Sequence, residues 1–264
     1  MSYKVGCCQF YPQLMDVRGN LEKMKGLLKD VEADLIVLPE LAASGYVFNS
    51  KEEVGKVAED GSSGPSAKLF KQLSRDNNTT YVLGYCENAG GKYYNSVMMV
   101  NPDGQVFNYR KTHLFYEEKF WFQPGDTGLN VFEAKGGVKV GLMLCYDWVF
   151  PEAARTLALK GAQVIAHPSN LVLPWCQQAM LTRSLENHVF TITGNRVGLE
   201  KNGDKELFFT GGSQVVSTKG EPLHRMGKEE EGVCIIEIDP NQALDKAITE
   251  HNHLFNDRNP DLYH

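Results

Sequence analysis

Short apolar segments that stop at a polar residue constrain the fold of this chain most strongly. The run DLIVLPE at 34–40 has the length and composition of a strand covered on both faces, and it ends at Pro39, which cannot donate to a sheet ladder. Helical spacing follows in other stretches, such as 65–77, whose first residue is a proline suited to a first helical turn. The chain is therefore expected to alternate strands and helices around buried sheet.

The same patterns predict the remaining elements and the fold class. Strands are predicted at 4–10, 34–40, 80–86, 94–100, 105–109, 138–144, 162–167, 189–194, 213–217 and 232–238, and helices at 17–31, 65–77, 151–160 and 177–188. The sequence Asn-Pro-Asp-Gly at 101–104 is a strong turn signal and predicts a hairpin, which a purely parallel doubly wound sheet lacks. Two sheets packed face to face with helices outside accommodate both features, so residues 1–264 are predicted to form a single α/β sandwich domain.

Charge and composition exclude several classes of protein. Lysine and arginine number 27 against 33 acidic residues, which gives a formal net charge of −6 and makes nucleic acid or anionic lipid a poor partner. No repeat of 20–50 residues or low-complexity stretch occurs, which argues against solenoids and propellers. The first residues lack a signal-peptide layout, and no apolar run approaches the ~20 residues of a membrane span. A cytoplasmic protein is expected.

Six cysteines raise the question of disulfides, but their spacing matches no small disulfide scaffold and none forms a Cys-x-x-Cys pair. Adjacent Cys7 and Cys8 would point to opposite faces of a strand. These two and the cysteines at 86 and 234 fall in predicted strands and are interpreted as packing residues, while Cys176 is placed on a loop without a role. Cys145 remains, at the end of a predicted strand.

Three reactive side chains stand where predicted strands stop: Glu40, Lys111 and Cys145. A thiol at a strand-to-helix turn faces backbone N–H groups that favour an anion. Each residue alone has a simpler interpretation, as a loop carboxylate, a solvated charge and a buried small side chain. Together they supply a base, an oxyanion-binding ammonium and a nucleophile for acyl transfer. A Cys–His pair with His113 or His167 as base is the alternative.

The motifs around these residues resemble those of the nitrilase superfamily of carbon–nitrogen hydrolases. LPELAASGY at 38–46, YRKTHLF at 109–115 and CYDWVFPEAAR at 145–155 occur in the family's order, and the similarity extends from KVGCCQF to GVCIIEID. The resemblance implies an α-β-β-α four-layer sandwich and a Glu40–Lys111–Cys145 triad. It also implies a second glutamate, which the segment EKFWFQPGD assigns to Glu118, with Glu117 as an exposed neighbour. Family members usually form homodimers or larger assemblies.

Residues just after the nucleophile and after the next strand are expected to line the substrate pocket, which suggests Tyr146, Trp148 and Asn170, with a core role as the alternative for Trp148. The resemblance adds Tyr46. Relatives that cleave carboxylate-bearing substrates have an arginine shortly after the cysteine, whereas 148–150 here are Trp-Val-Phe, which favours neutral or small substrates. True nitrilases often have Trp-Glu after the cysteine, and this chain has Tyr-Asp. An amidase is therefore favoured over a nitrilase, and an N-carbamoyl-amine hydrolase, which the segment EKFWFQPGD resembles, is a further alternative. A non-catalytic scaffold is the remote alternative, since the reactive residues are all present.

No cofactor or metal is expected for this chemistry. The pair His251 and His253 lacks an evident third ligand and is interpreted as solvated. The surrounding tail at 251–264 is polar with a few large apolar residues, and it is expected either to fray or to dock on a partner subunit.

Overall fold

Strands and helices of the computed structural model, which describes residues 1–263, alternate along the chain. The strands are β1 (Tyr3–Gln9), β2 (Leu35–Val37), β3 (Thr80–Ala89), β4 (Lys92–Val100), β5 (Val106–Arg110), β6 (Val131–Glu133), β7 (Lys139–Leu142), β8 (Val164–Pro168), β9 (Phe190–Gly194), β10 (Val197–Asn202), β11 (Lys205–Thr210), β12 (Gln214–Val216), β13 (Pro222–Arg225) and β14 (Gly232–Ile238). The α-helices are α1 (Val17–Leu27), α2 (Lys51–Val57), α3 (Pro65–Asn77), α4 (Glu118–Trp121), α5 (Pro151–Leu159) and α6 (Cys176–Leu185).

Most strands belong to two six-stranded sheets built on one scheme. The first has the order β14-β1-β2-β3-β4-β5 and the second β13-β12-β9-β8-β7-β6. In each, three central strands are parallel and the outer strands are antiparallel. This scheme explains why the sequence shows both crossover helices and hairpins, since parallel strands need crossovers and antiparallel strands are joined by short turns.

Three apolar cores separate four layers. The core between the sheets takes side chains from both, including Val37 and Ile192. A second core lies between the first sheet and helices α1 and α3, and a third lies between the second sheet and helices α5 and α6. The predicted α-β-β-α sandwich is therefore confirmed.

Local sequence signals predicted several helices and strands correctly. Helix α3 and strand β14 have the predicted bounds, and the left-handed conformation of Asn78 (φ +49°), the residue after α3, closes the helix. One assignment was wrong, because Cys176 is not on a loop but is the buried first residue of α6. The hairpin β10–β11, which forms a separate two-stranded sheet, was missed although Gly203-Asp204, the two residues between its strands, is a turn signal.

The tail runs along the second helical layer. Phe255 packs against the third core, and the guanidinium of Arg155 lies 5.4 Å from its ring centroid. Leu262 and Tyr263 are exposed, and His264 lies outside the described residues. None of the helices within residues 1–263 has the length and apolar character that crossing a bilayer requires.

Candidate active site

Glu40 is held at the end of strand β2 by close backbone packing. A Cβ atom on Gly84 of the neighbouring strand β3 would lie 2.4 Å from the Glu40 Cα, so only glycine permits this approach. Leu41 adopts a positive φ of +47°, and Ala42 donates its N–H to the Gly84 carbonyl at 2.9 Å. The turn after β2 thus fixes a fully buried carboxylate.

Lys111 lies directly after β5 and carries its ammonium into the same buried site. Its Nζ donates to Glu40 Oε1 at 2.6 Å and to Glu118 Oε1 at 2.8 Å. The Lys111 N–H donates to the Asn95 carbonyl, and Asn95 Nδ2 donates to Glu40 Oε1 at 2.7 Å. One lysine therefore bridges two buried carboxylates in a fixed geometry.

The ammonium of Lys111 is stabilised by the opposite charges beside it. Burial disfavours the Lys111 ammonium, but the carboxylates of Glu118 and Glu40 outweigh it and raise the pKa of Lys111 well above its ordinary value. Burial also raises the pKa of Glu118, although Lys111 and the Tyr46 hydroxyl partly offset this. The Tyr46 hydroxyl donates to Glu118 Oε1 at 2.6 Å, and the Phe115 N–H donates to Oε2 at 3.2 Å. Glu118 is consequently held on both oxygens.

Cys145 begins the short 3-10 segment Cys145–Val149 that connects β7 to α5. Its φ is +39°, a region that residues with a side chain rarely adopt, and such strain is typical of functional sites. The strained turn is held by Asp147, which is fully buried and accepts from the Leu144 N–H at 2.9 Å and the Tyr109 hydroxyl at 2.7 Å. The thiol position is therefore imposed by the turn and its anchor.

The thiol itself is disfavoured as a free anion. Burial and the charge of Glu40 raise the pKa of Cys145 well above its ordinary value, and Lys111 offsets only part of this. A resting thiol needs a base when it attacks. Glu40 Oε2 is buried and has no hydrogen-bond partner among residues 1–263, whereas Oε1 is engaged by Lys111 and Asn95.

The two histidines considered as alternative bases are engaged elsewhere. His113 bonds through Nδ1 to Asp147 Oδ1 at 2.7 Å, and its ring stacks on Phe150 with centroids 3.7 Å apart. His167 Nε2 lies 2.8 Å from the carbonyl oxygen of Cys145, and burial lowers its pKa. The geometry therefore favours the Glu–Lys–Cys arrangement over a Cys–His pair.

Two adjacent cavities open at this cluster, and Phe115 lines both. The smaller, about 20 Å³, is lined by Cys145, Tyr146, Trp148 and Asn170, among others. The larger, about 470 Å³, reaches Glu118 and Tyr46 but not Cys145, and the tip of hairpin β10–β11 forms one wall. Its remaining walls are mainly aromatic: Phe48, Tyr116, Trp121 and Phe122.

The four suggested substrate residues divide between these cavities. Asn170 is buried, and both polar atoms of its side chain lack partners among the described residues, while its backbone oxygen lies 3.8 Å from the Cys145 Sγ. Tyr46 contacts Glu118 and lines the larger cavity. Glu117 is not the exposed neighbour that was expected, since it is half-buried and accepts from Lys205 Nζ at 2.6 Å.

Comparison with known proteins identifies the family. The sequence profile described as Carbon-nitrogen hydrolase matches residues 4–245. The chain belongs to the carbon–nitrogen hydrolases of the nitrilase superfamily.

Relatives of this carbon–nitrogen hydrolase carry more than one activity in their names. It is 44% identical to a nitrilase of Pyrococcus abyssi over 98% of both chains. It is 36% identical to an (R)-stereoselective amidase of Pseudomonas sp., covering 84% of this chain and 79% of the relative. A crystal structure of a carbon–nitrogen hydrolase from Helicobacter pylori G27 matches with a TM-score of 0.89 at 26% identity, covering 100% of this chain and 97% of the other.

Sequence reasoning missed two side chains that organise the site of this carbon–nitrogen hydrolase. Asn95 donates to Glu40, and Asp147 anchors the turn of Cys145. Asparagine is depleted in strand interiors, so Asn95 inside β4 was a usable signal. Residues 1–263 contain no group of three or more His, Cys, Asp or Glu arranged to hold a metal ion. The expectation that the reaction needs no metal or cofactor stays a prediction.

Proposed function

We propose that this carbon–nitrogen hydrolase is an amidase that releases ammonia and a carboxylic acid through a thioester on Cys145. The observation that carries the proposal is that the two carboxylate oxygens of Glu40 have different surroundings. One of its oxygens is held by Lys111 and Asn95, and the other is buried without a partner among the described residues. Such an oxygen is suited to take the proton of a buried thiol.

In the first half of the reaction, Glu40 accepts the proton of Cys145 and the sulfur adds to the amide carbonyl carbon. Lys111 and the N–H of Tyr146 stabilise the oxyanion. Tyr146 lies in the first turn of its 3-10 segment, where backbone N–H groups have no partner inside the helix. Glu40 then returns the proton to the leaving nitrogen, so ammonia departs and the acyl group stays on sulfur as a thioester.

In the second half of the reaction, a water molecule occupies the place that ammonia has left and hydrolyses the thioester. Glu40 accepts a proton from the water as it adds to the thioester carbonyl, and the proton returns to the sulfur when the acid leaves. Glu118 helps to place this water, a role supported by its fixation through Tyr46 and Phe115. Thiol and carboxylate are thereby regenerated.

The larger cavity supports a proposal on substrate class. Its aromatic walls suit an apolar group on the substrate, attached to an amide that reaches the smaller cavity at Cys145. The one cationic side chain among its described lining, Lys205, is paired with Glu117. We therefore propose neutral substrates with an apolar side group, consistent with the absence of an arginine at 148–150.

A nitrilase is the second candidate, favoured by the 44% identity to the Pyrococcus abyssi nitrilase. It uses the same residues but passes through a thioimidate on Cys145. An N-carbamoyl-amine hydrolase would also use them and would release carbon dioxide with ammonia.

One substrate panel separates these functions. The purified enzyme is given matched amides, nitriles and N-carbamoyl amines that carry the same side group, small in one set and aromatic in the other. Ammonia, carbon dioxide and the acid are measured. A higher kcat/KM on the amides, without release of carbon dioxide, supports the amidase proposal. Faster turnover of the nitriles would instead identify the enzyme as a nitrilase. Absence of turnover on all three classes, with an unreactive Cys145, would favour the non-catalytic scaffold.

We also propose a single domain over residues 1–264, a homodimer or larger assembly, and a cytoplasmic location. The exposed Leu262 and Tyr263 support docking of the tail at 251–264 on a partner subunit. Sedimentation of the chain with and without residues 251–264 tests this, because loss of the assembly on truncation is expected. An unchanged assembly would contradict a role for the tail.

A further inference from the structure

Two cysteines outside the active site face each other across neighbouring strands. Cys7 on β1 and Cys234 on β14 are direct partners in the antiparallel register. Their sulfur atoms lie 2.9 Å apart in the core between the sheets, well inside van der Waals contact. The thioether of Met226 lies 3.9 Å from the Cys7 sulfur. The pair is thus a close dithiol in an apolar setting.

The backbone geometry at this position suits a disulfide. Direct partners in an antiparallel pair have Cα atoms about 4.5 or 5.5 Å apart, depending on whether they are hydrogen-bonded. Both distances fall within the roughly 4.4–6.8 Å that disulfides span. Register between β1 and β14 runs unbroken from Tyr3↔Ile238 to Gln9↔Gly232, so the bond requires little movement of either strand.

We propose that Cys7 and Cys234 form an intramolecular disulfide when the protein meets a hydroperoxide, a modification separate from catalysis. The thiolate of Cys234 attacks the O–O bond, which gives a sulfenic acid on Cys234 and the alcohol or water of the oxidant. The sulfur of Cys7 then attacks the sulfenic sulfur, forms the S–S bond and releases water. Two thiols and one hydroperoxide thus give one disulfide, one alcohol or water, and one further water.

Exposure and hydrogen bonding both assign the first step to Cys234. It is 9% exposed, whereas Cys7 is 0% exposed, so a small oxidant reaches Cys234 first. The contact between the two thiols lowers the pKa of Cys234 and raises that of Cys7, which favours a thiolate on Cys234.

The other cysteines lack such a partner. Cys8 is opposite Val233 and points into the core beneath helices α1 and α3. Cys145 and Cys176 belong to the third core, and Cys86 belongs to a separate apolar cluster with Phe48 and Phe122; neither group contains Cys7 or Cys234. Oxidation by a hydroperoxide is therefore expected to give one specific cross-link, at Cys7 and Cys234.

Peptide mapping after treatment with hydrogen peroxide tests the proposal. The protein is denatured, its remaining thiols are alkylated, and it is digested with trypsin. A link between the peptides at 5–18 and 229–246, lost on treatment with dithiothreitol, is expected. Fragmentation of the linked pair must place the bond on Cys7, because Cys8 lies in the same peptide.

Variants provide the matched control. The link is expected to persist in Cys8→Ala and to disappear in Cys7→Ala and in Cys234→Ala. A link that fragmentation places on Cys8, or that survives Cys7→Ala, would overturn the proposal. So would full alkylation of both Cys7 and Cys234 in wild-type protein at a peroxide dose that oxidises Cys145. The wild-type measurement decides the question even where a core variant fails to fold.

Discussion

Lys111 Nζ lies 2.6 Å from Glu40 Oε1, and the side chains of both residues are completely buried. Ion pairs in such places gain little net stability, since desolvation of the two charges opposes their attraction. Breaking one is costly, because the remaining charge stays buried and unpaired. The pair is therefore better explained by a chemical role than by a contribution to folding.

Replacement of the thiol should abolish turnover and leave the fold intact. For Cys145→Ala we expect kcat to fall by about 10⁴-fold or more, because loss of a nucleophile removes the covalent route. Ammonia release measures this, and circular dichroism and Tm check the fold. Cys176→Ala, at another buried cysteine of the same core, is the control and should keep kcat within a few-fold. Full activity of Cys145→Ala would disprove the mechanism.

Replacement of the bridging lysine should affect activity and stability together. In Lys111→Met the oxyanion loses one donor, worth about 3–4 kcal/mol or 10²–10³-fold in kcat. Two carboxylates are left buried without their cation, so Tm should fall by about 10 °C. Lys92→Met, at an exposed lysine of β4, is the matched control and should change neither quantity appreciably. Equal Tm values for the two variants would contradict the buried ion pair.

The pH dependence of Cys145 alkylation should shift in opposite directions in two variants. Burial and Glu40 raise the pKa of this thiol, and Lys111 lowers it. In the wild type the alkylation rate should rise at a pH above the roughly 8.5 of a free thiol. Glu40→Gln removes a repelling charge and should move the midpoint to lower pH, whereas Lys111→Met should move it higher. Rates with iodoacetamide, followed on the Cys145 peptide, measure the midpoints, and a shared midpoint would refute this electrostatic account.

The larger cavity should set the size of the substrate's side group. In Leu207→Trp the indole fills part of the cavity, so kcat/KM for amides with an aromatic group should fall about 10-fold or more. Turnover of small amides should remain within a few-fold of wild type. Leu199→Trp, at an exposed position of the same hairpin, should alter neither. Equal losses for large and small amides would show that the cavity does not hold the side group.

Local signals in the sequence were sufficient for much of the fold. Such signals include the proline at the start of α3 and the apolar runs that end at Glu40 and Cys145. They act through short-range sterics and burial, which can be predicted from neighbouring residues in the sequence. Reactive side chains at three strand ends were enough to predict the candidate site residues Glu40, Lys111 and Cys145. The resemblance added the four-layer fold, which the structure confirms.

Contacts between residues that are far apart in the sequence could not be predicted from such local signals. Glu117 was expected to be exposed because its partner Lys205 lies 88 positions away on a hairpin that the strand pattern missed. Strand β11 has only three consecutive apolar residues, Leu207, Phe208 and Phe209, and this run is too short to predict a strand by itself. Asn95 likewise acquires its role only when β4 is placed beside the turn that carries Glu40.

The hairpin β10–β11 stands outside both six-stranded sheets and is held at its base and at its tip, where Asn202 donates to the Val47 carbonyl and Lys205 pairs with Glu117. At the base, Glu200 pairs with Arg196 and accepts from the N–H groups of Tyr46 and Val47. Residues 204–206 at the tip contact the cavity but supply none of the groups that meet the thiol. If the larger cavity holds the substrate's side group as proposed, mutation or exchange of the tip is expected to change which substrates the enzyme accepts without moving Glu40, Lys111 or Cys145. The hairpin would then be the part of the chain in which substitutions alter specificity at the least cost to catalysis.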